Sequence, residues 1–144
     1  MKNWIIAILV LFAIDGQSQE QRLPQTDVID AIATNSPEGL AQEQLDAYNV
    51  GDIDAFLVPY ADSVEIYAFP DRLISKGKEA MRETYGQMFS QLPELHCRLD
   101  NRIVMGDTVI DHEYITGIPN QEPFSAIAIY KIAEDKIQQV YFIQ

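Results

Sequence analysis

The sequence predicts an α+β fold in which helices cover one face of a curved, mainly antiparallel sheet. Three observations carry this. Helical periodicity comes early, from Pro37 to Leu57 and from Lys78 to Leu92. Four β-rich segments come last, at about 95–105, 108–117, 124–133 and 136–143. The length, 144 residues, suits one core and not two. Helices followed by a run of strands is the α+β order, whereas α/β chains interleave them.

Each element has a local reason. Ser36-Pro37-Glu38 starts a helix with a capping hydroxyl, a proline at the first helical position and an acid in the first turn. Leu40, Gln44, Leu45 and Tyr48 then share one face. Gly51 ends that helix by accepting positive φ, and Asp52 caps a short second one carrying Ile53, Phe56 and Leu57. Residues 63–69 are β-rich and stop at Pro70-Asp71. Met81, Tyr85, Met88, Phe89 and Leu92 form the stripe of a further helix that Pro93 closes. Met105-Gly106-Asp107-Thr108 and Ala133-Glu134-Asp135-Lys136 read as tight hairpin turns between the last strands.

The N-terminus is different in kind. Met1-Lys2-Asn3 precedes 11 apolar residues, Trp4 to Ile14. That is too short to cross a bilayer core of about 30 Å as a helix. It fits a secretory signal peptide over 1–18, with Gly16 and Ser18 as the small residues before the cut; the competing reading is a buried N-terminal element. Residues 19–35 form a polar leader and 36–144 the folded domain. Export to the periplasm or the extracellular space is the expectation, with no membrane anchor.

Charge excludes some partners. Asp and Glu number 22 against 10 Lys and Arg, a net −12, with no basic cluster. Such a surface repels phosphate backbones and anionic membranes, so no nucleic-acid partner is expected. A single cysteine, Cys97, excludes an internal disulfide and a cysteine-based zinc site. His96 and His112 are the only histidines and lie on different strands, so no metal site is expected. No nucleophile elbow is present, and neighbouring His96 and Cys97 point to opposite faces.

Asn49-Val50-Gly51-Asp52 between two helices, then Tyr60-Ala61-Asp62-Ser63-Val64, then Gly77-Lys78-Glu79-Ala80-Met81 before the sheet, resembles the SnoaL-like family of the nuclear transport factor 2-like superfamily, which is related to ketosteroid isomerase. The resemblance spans roughly residues 37–143. It implies a cone-shaped barrel: a strongly bent sheet with the N-terminal helices in its concave face, leaving a mostly apolar pocket. It also implies a homodimer. Function is less constrained, because this fold serves both enzymes and binders.

The isomerases of this superfamily use an Asp base with a Tyr and a protonated Asp as oxyanion hole. Matching this sequence to that pattern puts Gln44 at the tyrosine, Ala68 at the base and Ala128 near the second acid. None can do that chemistry, so ketosteroid isomerisation by that apparatus is not expected.

Strand alternation then sorts candidates by face. Asp111 and Glu113 share one face of Val109–Thr116, and Ile110, His112, Tyr114 and Thr116 the other. Two carboxylates in an acidic protein favour water. His112 and Tyr114 are therefore expected on the pocket wall as candidate catalytic residues. His112 reads either as a proton shuttle or as a lining residue bonded to Tyr114 or Gln138. The expected ligand-binding wall comprises Gln44, Tyr48, Tyr67, Ala68, Ala126, Ala128, Tyr130, Gln138, Val140 and Phe142. Ile127 and Ile129 face outward and need cover, from a second copy of the chain or from the leader. The function expected is binding of a small, largely apolar molecule, with cofactor-free acid/base chemistry of the isomerase, cyclase or dehydratase type. The alternative is a non-catalytic binding or interaction module that has lost the isomerase residues.

Overall fold

The structure, a computed structural model, describes residues 35–144. The expected signal peptide and nearly all of the leader lie outside the described residues. Helix α1 spans Pro37–Val50 and α2 Ile53–Leu57. The caps form as the sequence predicts. The Ser36 hydroxyl accepts from the Gly39 amide at 3.0 Å, and the Asp52 carboxylate from the Ala55 amide at 3.0 Å. Gly51 sits in the left-handed region at φ 69°, and its amide closes on the Ala47 and Tyr48 carbonyls. Helix α3 spans Lys78–Gln91.

Six strands form one sheet: β1 Tyr60–Ala68, β2 Arg72–Lys76, β3 His96–Met105, β4 Thr108–Thr116, β5 Phe124–Ala133 and β6 Lys136–Ile143. Their spatial order is β2-β1-β6-β5-β4-β3. Only β1 and β6 pair in parallel; the other neighbours are antiparallel hairpins. Strand β2 is absent from the sequence prediction. It is short and at the sheet edge, and its charged ends, Arg72 and Lys76, suit an edge strand. Strand β1 also starts at Tyr60, three residues ahead of the expected start, with a register break before Glu65.

The helices lie on the inner face of the sheet. Leu40 and Ala41 of α1, Phe56 and Leu57 of α2 and Met81 of α3 meet Val64, Val109, Ala128, Ile137 and Val140 from the strands. A second cluster, Leu45, Leu95, Cys97, Ile115 and Ala126, continues the core toward the open end. Among the described residues, no helix is long and apolar enough to cross a membrane.

Strand β4 corrects the sequence reading. Val109, Asp111, Glu113 and Ile115 are the buried face, and Ile110, His112, Tyr114 and Thr116 are the half-buried outer one. His112 and Tyr114 therefore do not line the interior. The carboxylates can turn inward because the fold supplies partners that strand alternation alone does not reveal: Arg102 for Asp111 and Tyr130 for Glu113. On β5 the expected inward face, Ala126, Ala128 and Tyr130, is observed. Register puts Ala128 beside Asp111 and Ala126 beside Glu113, so small side chains leave room around the acids.

A carboxylate at the floor of an apolar cavity

Between the helices and the open end of the sheet lies a cavity of about 310 Å³. Its wall is mostly apolar: Leu45, Phe56, Ile66, Met88, Leu95, Ile115, Phe124 and Phe142 contribute. Tyr48, Tyr60 and Tyr85 bring hydroxyls, and Gln44 an amide. Glu113 is the one charged side chain among the described lining residues. Gly117 shapes the lip that carries Ile118 and Phe124. It has φ 83°, and a Cβ there would run into the Glu94 carbonyl.

Glu113 ends a directed chain of hydrogen bonds. The Tyr60 hydroxyl donates to Gln44 Oε1 at 3.1 Å, and Gln44 Nε2 donates to the Tyr130 hydroxyl at 2.9 Å. The Tyr130 hydroxyl donates to Glu113 Oε1 at 3.2 Å. Gln44 Nε2 also donates to the Ala41 carbonyl at 3.1 Å, which fixes the amide on its own helix. Each buried polar group thus has a partner, as burial requires, and the carboxylate is held in one orientation.

The environment decides Glu113's protonation. Burial raises its pKa, and so does the negative Asp111 on the same strand face. Hydrogen bonds from Tyr130 and Cys97 and the more distant Arg102 pull the other way. The balance pushes it up from 4.5 to about 7. Asp111 has a cation in contact. Arg102 binds it in two parallel bonds, Nε to Oδ1 at 2.7 Å and Nη2 to Oδ2 at 2.8 Å, while Nη1 donates to Gln42 Oε1 at 2.9 Å.

Burial pushes Tyr85 up to about 12 and raises Tyr48, Tyr60 and Tyr130 well above the usual phenol range, so all four remain O–H groups at neutral pH. Burial, then the nearby Glu113, also raises the Cys97 thiol far above its usual range. A thiol so held is a poor nucleophile. Its backbone is fixed by Asn49, whose side chain donates to the Cys97 carbonyl and accepts from the Cys97 amide, both at 2.8 Å. Among the described residues no three His, Cys, Asp or Glu stand together as metal ligands would.

Of the expected wall residues, Gln44, Tyr48, Ala126 and Phe142 line the cavity. Ala128, Tyr130 and Val140 are core residues beneath it, with Tyr130 reaching Glu113. Three others are elsewhere. Tyr67 stacks on Tyr141 at 4.9 Å and donates to Glu65, on the outer face. Ala68 pairs with Arg72 and Phe142 at the end of β1. Gln138, at a register break between β5 and β6, donates to the Ala133 carbonyl. The candidate catalytic pair also lies outside: His112 is opposite Ile127 and Asn101, and Tyr114 carries the Arg98 guanidinium 4.5 Å above its ring. The sequence reading missed Glu113, Tyr60 and Tyr85 as cavity residues. The signal for Glu113 lay in the hairpin register, which sets Arg102 opposite Asp111 and so turns that face inward.

The α+β cone is a fold shared with cystatin-fold and nuclear transport factor 2-like proteins, and sequence comparison narrows it. The SnoaL-like domain model matches residues 41–140, and this chain belongs to that family. An uncharacterized cystatin fold protein from Novosphingobium aromaticivorans is 27% identical, with a TM-score of 0.71 over 76% of this chain and 98% of its own. A SnoaL-like protein from Burkholderia thailandensis is 21% identical, with a TM-score of 0.63 over 74% and 92%. A protein from Sinorhizobium meliloti assigned as a polyketide cyclase is 15% identical, with a TM-score of 0.64 over 77% and 98%. Among curated proteins, none matches the chain in sequence.

Proposed function

We propose that this chain binds a small, largely apolar carbonyl compound in its cavity and moves a proton on it through Glu113, without a cofactor. The observation that carries the reading is Glu113, the one charged side chain among the described lining residues of a mostly apolar wall, held by Tyr130 and with its pKa pushed up to about 7. A general acid/base works best with a pKa near the operating pH. The ionised Glu113 takes a proton from the carbon beside the carbonyl, leaving an enolate. The protonated Glu113 then returns the proton to another carbon of the enolate, which is isomerisation, or gives it to the alkoxide oxygen formed when the enolate carbon attacks a second carbonyl of the same molecule, which is aldol-type cyclisation. The structural likeness to a protein assigned as a polyketide cyclase is in keeping with this class.

The test is hydrogen–deuterium exchange beside the carbonyl of a panel of apolar ketones, followed by NMR at neutral pD. Wild type should accelerate exchange, and Glu113→Gln should lose about 100-fold or more of it. If wild type accelerates none while native mass spectrometry finds an apolar ligand carried through purification, the chain is a non-catalytic binder.

Two further features belong to this reading. The chain is exported, with removal of residues 1–18; a native-like host should yield a chain starting near Gln19, and an unprocessed product would contradict it. It also pairs through the outer face of the sheet. Leu73, Tyr67, Tyr141, Ile129, Ile110 and Ile103 lie side by side in register across all six strands. Such a row favours cover by a second copy, at about 800 Å² per partner. Ile129→Asp should convert dimer to monomer in sedimentation.

A further inference from the structure

Most hydroxyls of the interior are already used. Tyr60 donates to Gln44, and Tyr130 to Glu113. Tyr48 and Tyr85 differ: neither hydroxyl has a hydrogen-bond partner among the described residues, and both side chains line the cavity. No buried side-chain nitrogen or oxygen among the described residues lacks a partner. The two hydroxyls must therefore open on solvent-accessible space. Their rings are held rigidly. Tyr48 packs edge-on to Phe89 at 5.4 Å and Tyr85 lies 4.7 Å from Phe56, with Phe56 also touching Tyr48 and Phe89. Both feel the charge of Glu113, and Tyr48 feels that of Tyr85, so the three polar groups share one region of the cavity.

Two neutral donors on a mostly apolar wall, bonded to no acceptor among the described residues, are suited to an oxygen brought by the ligand. We propose that the Tyr48 and Tyr85 hydroxyls together receive the carbonyl oxygen of the bound molecule. They would hold that oxygen while the adjoining C–H faces Glu113, and would donate more strongly as negative charge develops on it. This rests on the acid/base reading only for the role of Glu113. The prediction that the pair binds a carbonyl stands apart from it. The site selects an apolar ketone or aldehyde over a hydrocarbon of the same shape, because a hydrocarbon leaves both donors dry and unpaired.

The probe is acetophenone labelled with carbon-13 at the carbonyl, with α-methylstyrene as its hydrocarbon counterpart, added to the full chain. The ketone should bind about tenfold more tightly than the hydrocarbon, the order that two neutral hydrogen bonds supply. Its bound carbonyl stretch should lie at lower wavenumber than in hexane. Tyr48→Phe and Tyr85→Phe, which keep the aromatic cluster, should each move the stretch part of the way back, and the double variant fully. Glu113→Gln should leave it displaced. A stretch unchanged by the double variant, or a ketone that binds no better than the hydrocarbon, overturns the proposal. A displaced stretch with no deuterium exchange instead keeps the donor pair and rejects the catalytic reading of Glu113.

Discussion

Asp111 and Glu113 stand two residues apart on one face of β4, and the fold treats them in opposite ways. Asp111 is fully buried yet has a counter-ion within two bonds, the guanidinium of Arg102. Glu113 is nearly as buried, has no cation in contact among the described residues and rests on hydroxyl and thiol donors, with its pKa raised to about 7. The first arrangement locks the hairpin to α1 through Gln42. The second leaves a carboxyl whose charge is undecided at neutral pH, next to a cavity. Sharing a face does not set a residue's role; the distance to a cation does.

That contrast can be broken from the Asp111 side first. Arg102→Met leaves a buried carboxylate without its partner, and stability should fall by about 3–5 kcal/mol in urea unfolding at pH 8. Arg102→Met with Asp111→Leu should recover most of that loss. It should also lower the pKa of Glu113, because the repulsion of Asp111 acts on it more strongly than the attraction of Arg102.

Next comes Glu113 itself. Below pH 4.5 it is protonated in both folded and unfolded chains. Between about 4.5 and 7 the folded chain keeps a proton that the unfolded chain has released, so stability falls as pH rises. Above about 7 the loss is complete and amounts to roughly 3 kcal/mol. Glu113→Gln should flatten this slope and be the more stable protein at pH 8. An unchanged slope would mean that another group carries it.

Tyr130→Phe should have a smaller effect, about 1–2 kcal/mol, from loss of the bond to Glu113 and of the acceptor for Gln44. It should also drive the pKa of Glu113 further up, since the Tyr130 bond lowers it. The smallest effect belongs to a half-buried carboxylate on the opposite face of the sheet. Glu65, on the outer face, is pulled down to about 2 by hydrogen bonds from Lys76, Tyr67 and Gln139. Its contribution is therefore present above pH 4.5 and lost as pH falls toward 2. Lys76→Met should move that pKa toward its ordinary value, followed by NMR, with little change in the urea midpoint at pH 7.

Local signals carried most of the fold in the sequence. Ser36-Pro37, Gly51-Asp52 and the turns at Gly106-Asp107 and Glu134-Asp135 act within a few residues, and the elements form where they predict. Strand β2 escaped because five residues without alternation carry no period. The site was half legible. The alanines and Tyr130 of β5 point inward as their pattern implies. On β4 the preference of carboxylates for water gave the wrong face, because Arg102 and Tyr130 reach the acids across strands. The Met105–Thr108 turn pairs Arg102 with Asp111, so the ion pair was open to reading from register. The hydrogen bond from Tyr130 and the role of Tyr85, which reads as part of a helical stripe, depend on packing in three dimensions.

One buried carboxyl at the cavity floor, Glu113, changes charge near neutral pH. Carbon-13 NMR of protein labelled at the glutamate side-chain carboxyls tests it directly, with Glu113→Gln identifying the resonance. Its titration should centre at about 7, well above the other glutamates, and move higher in Tyr130→Phe. A resonance for Glu113 that titrates near 4.5 and ignores Tyr130→Phe would contradict the claim.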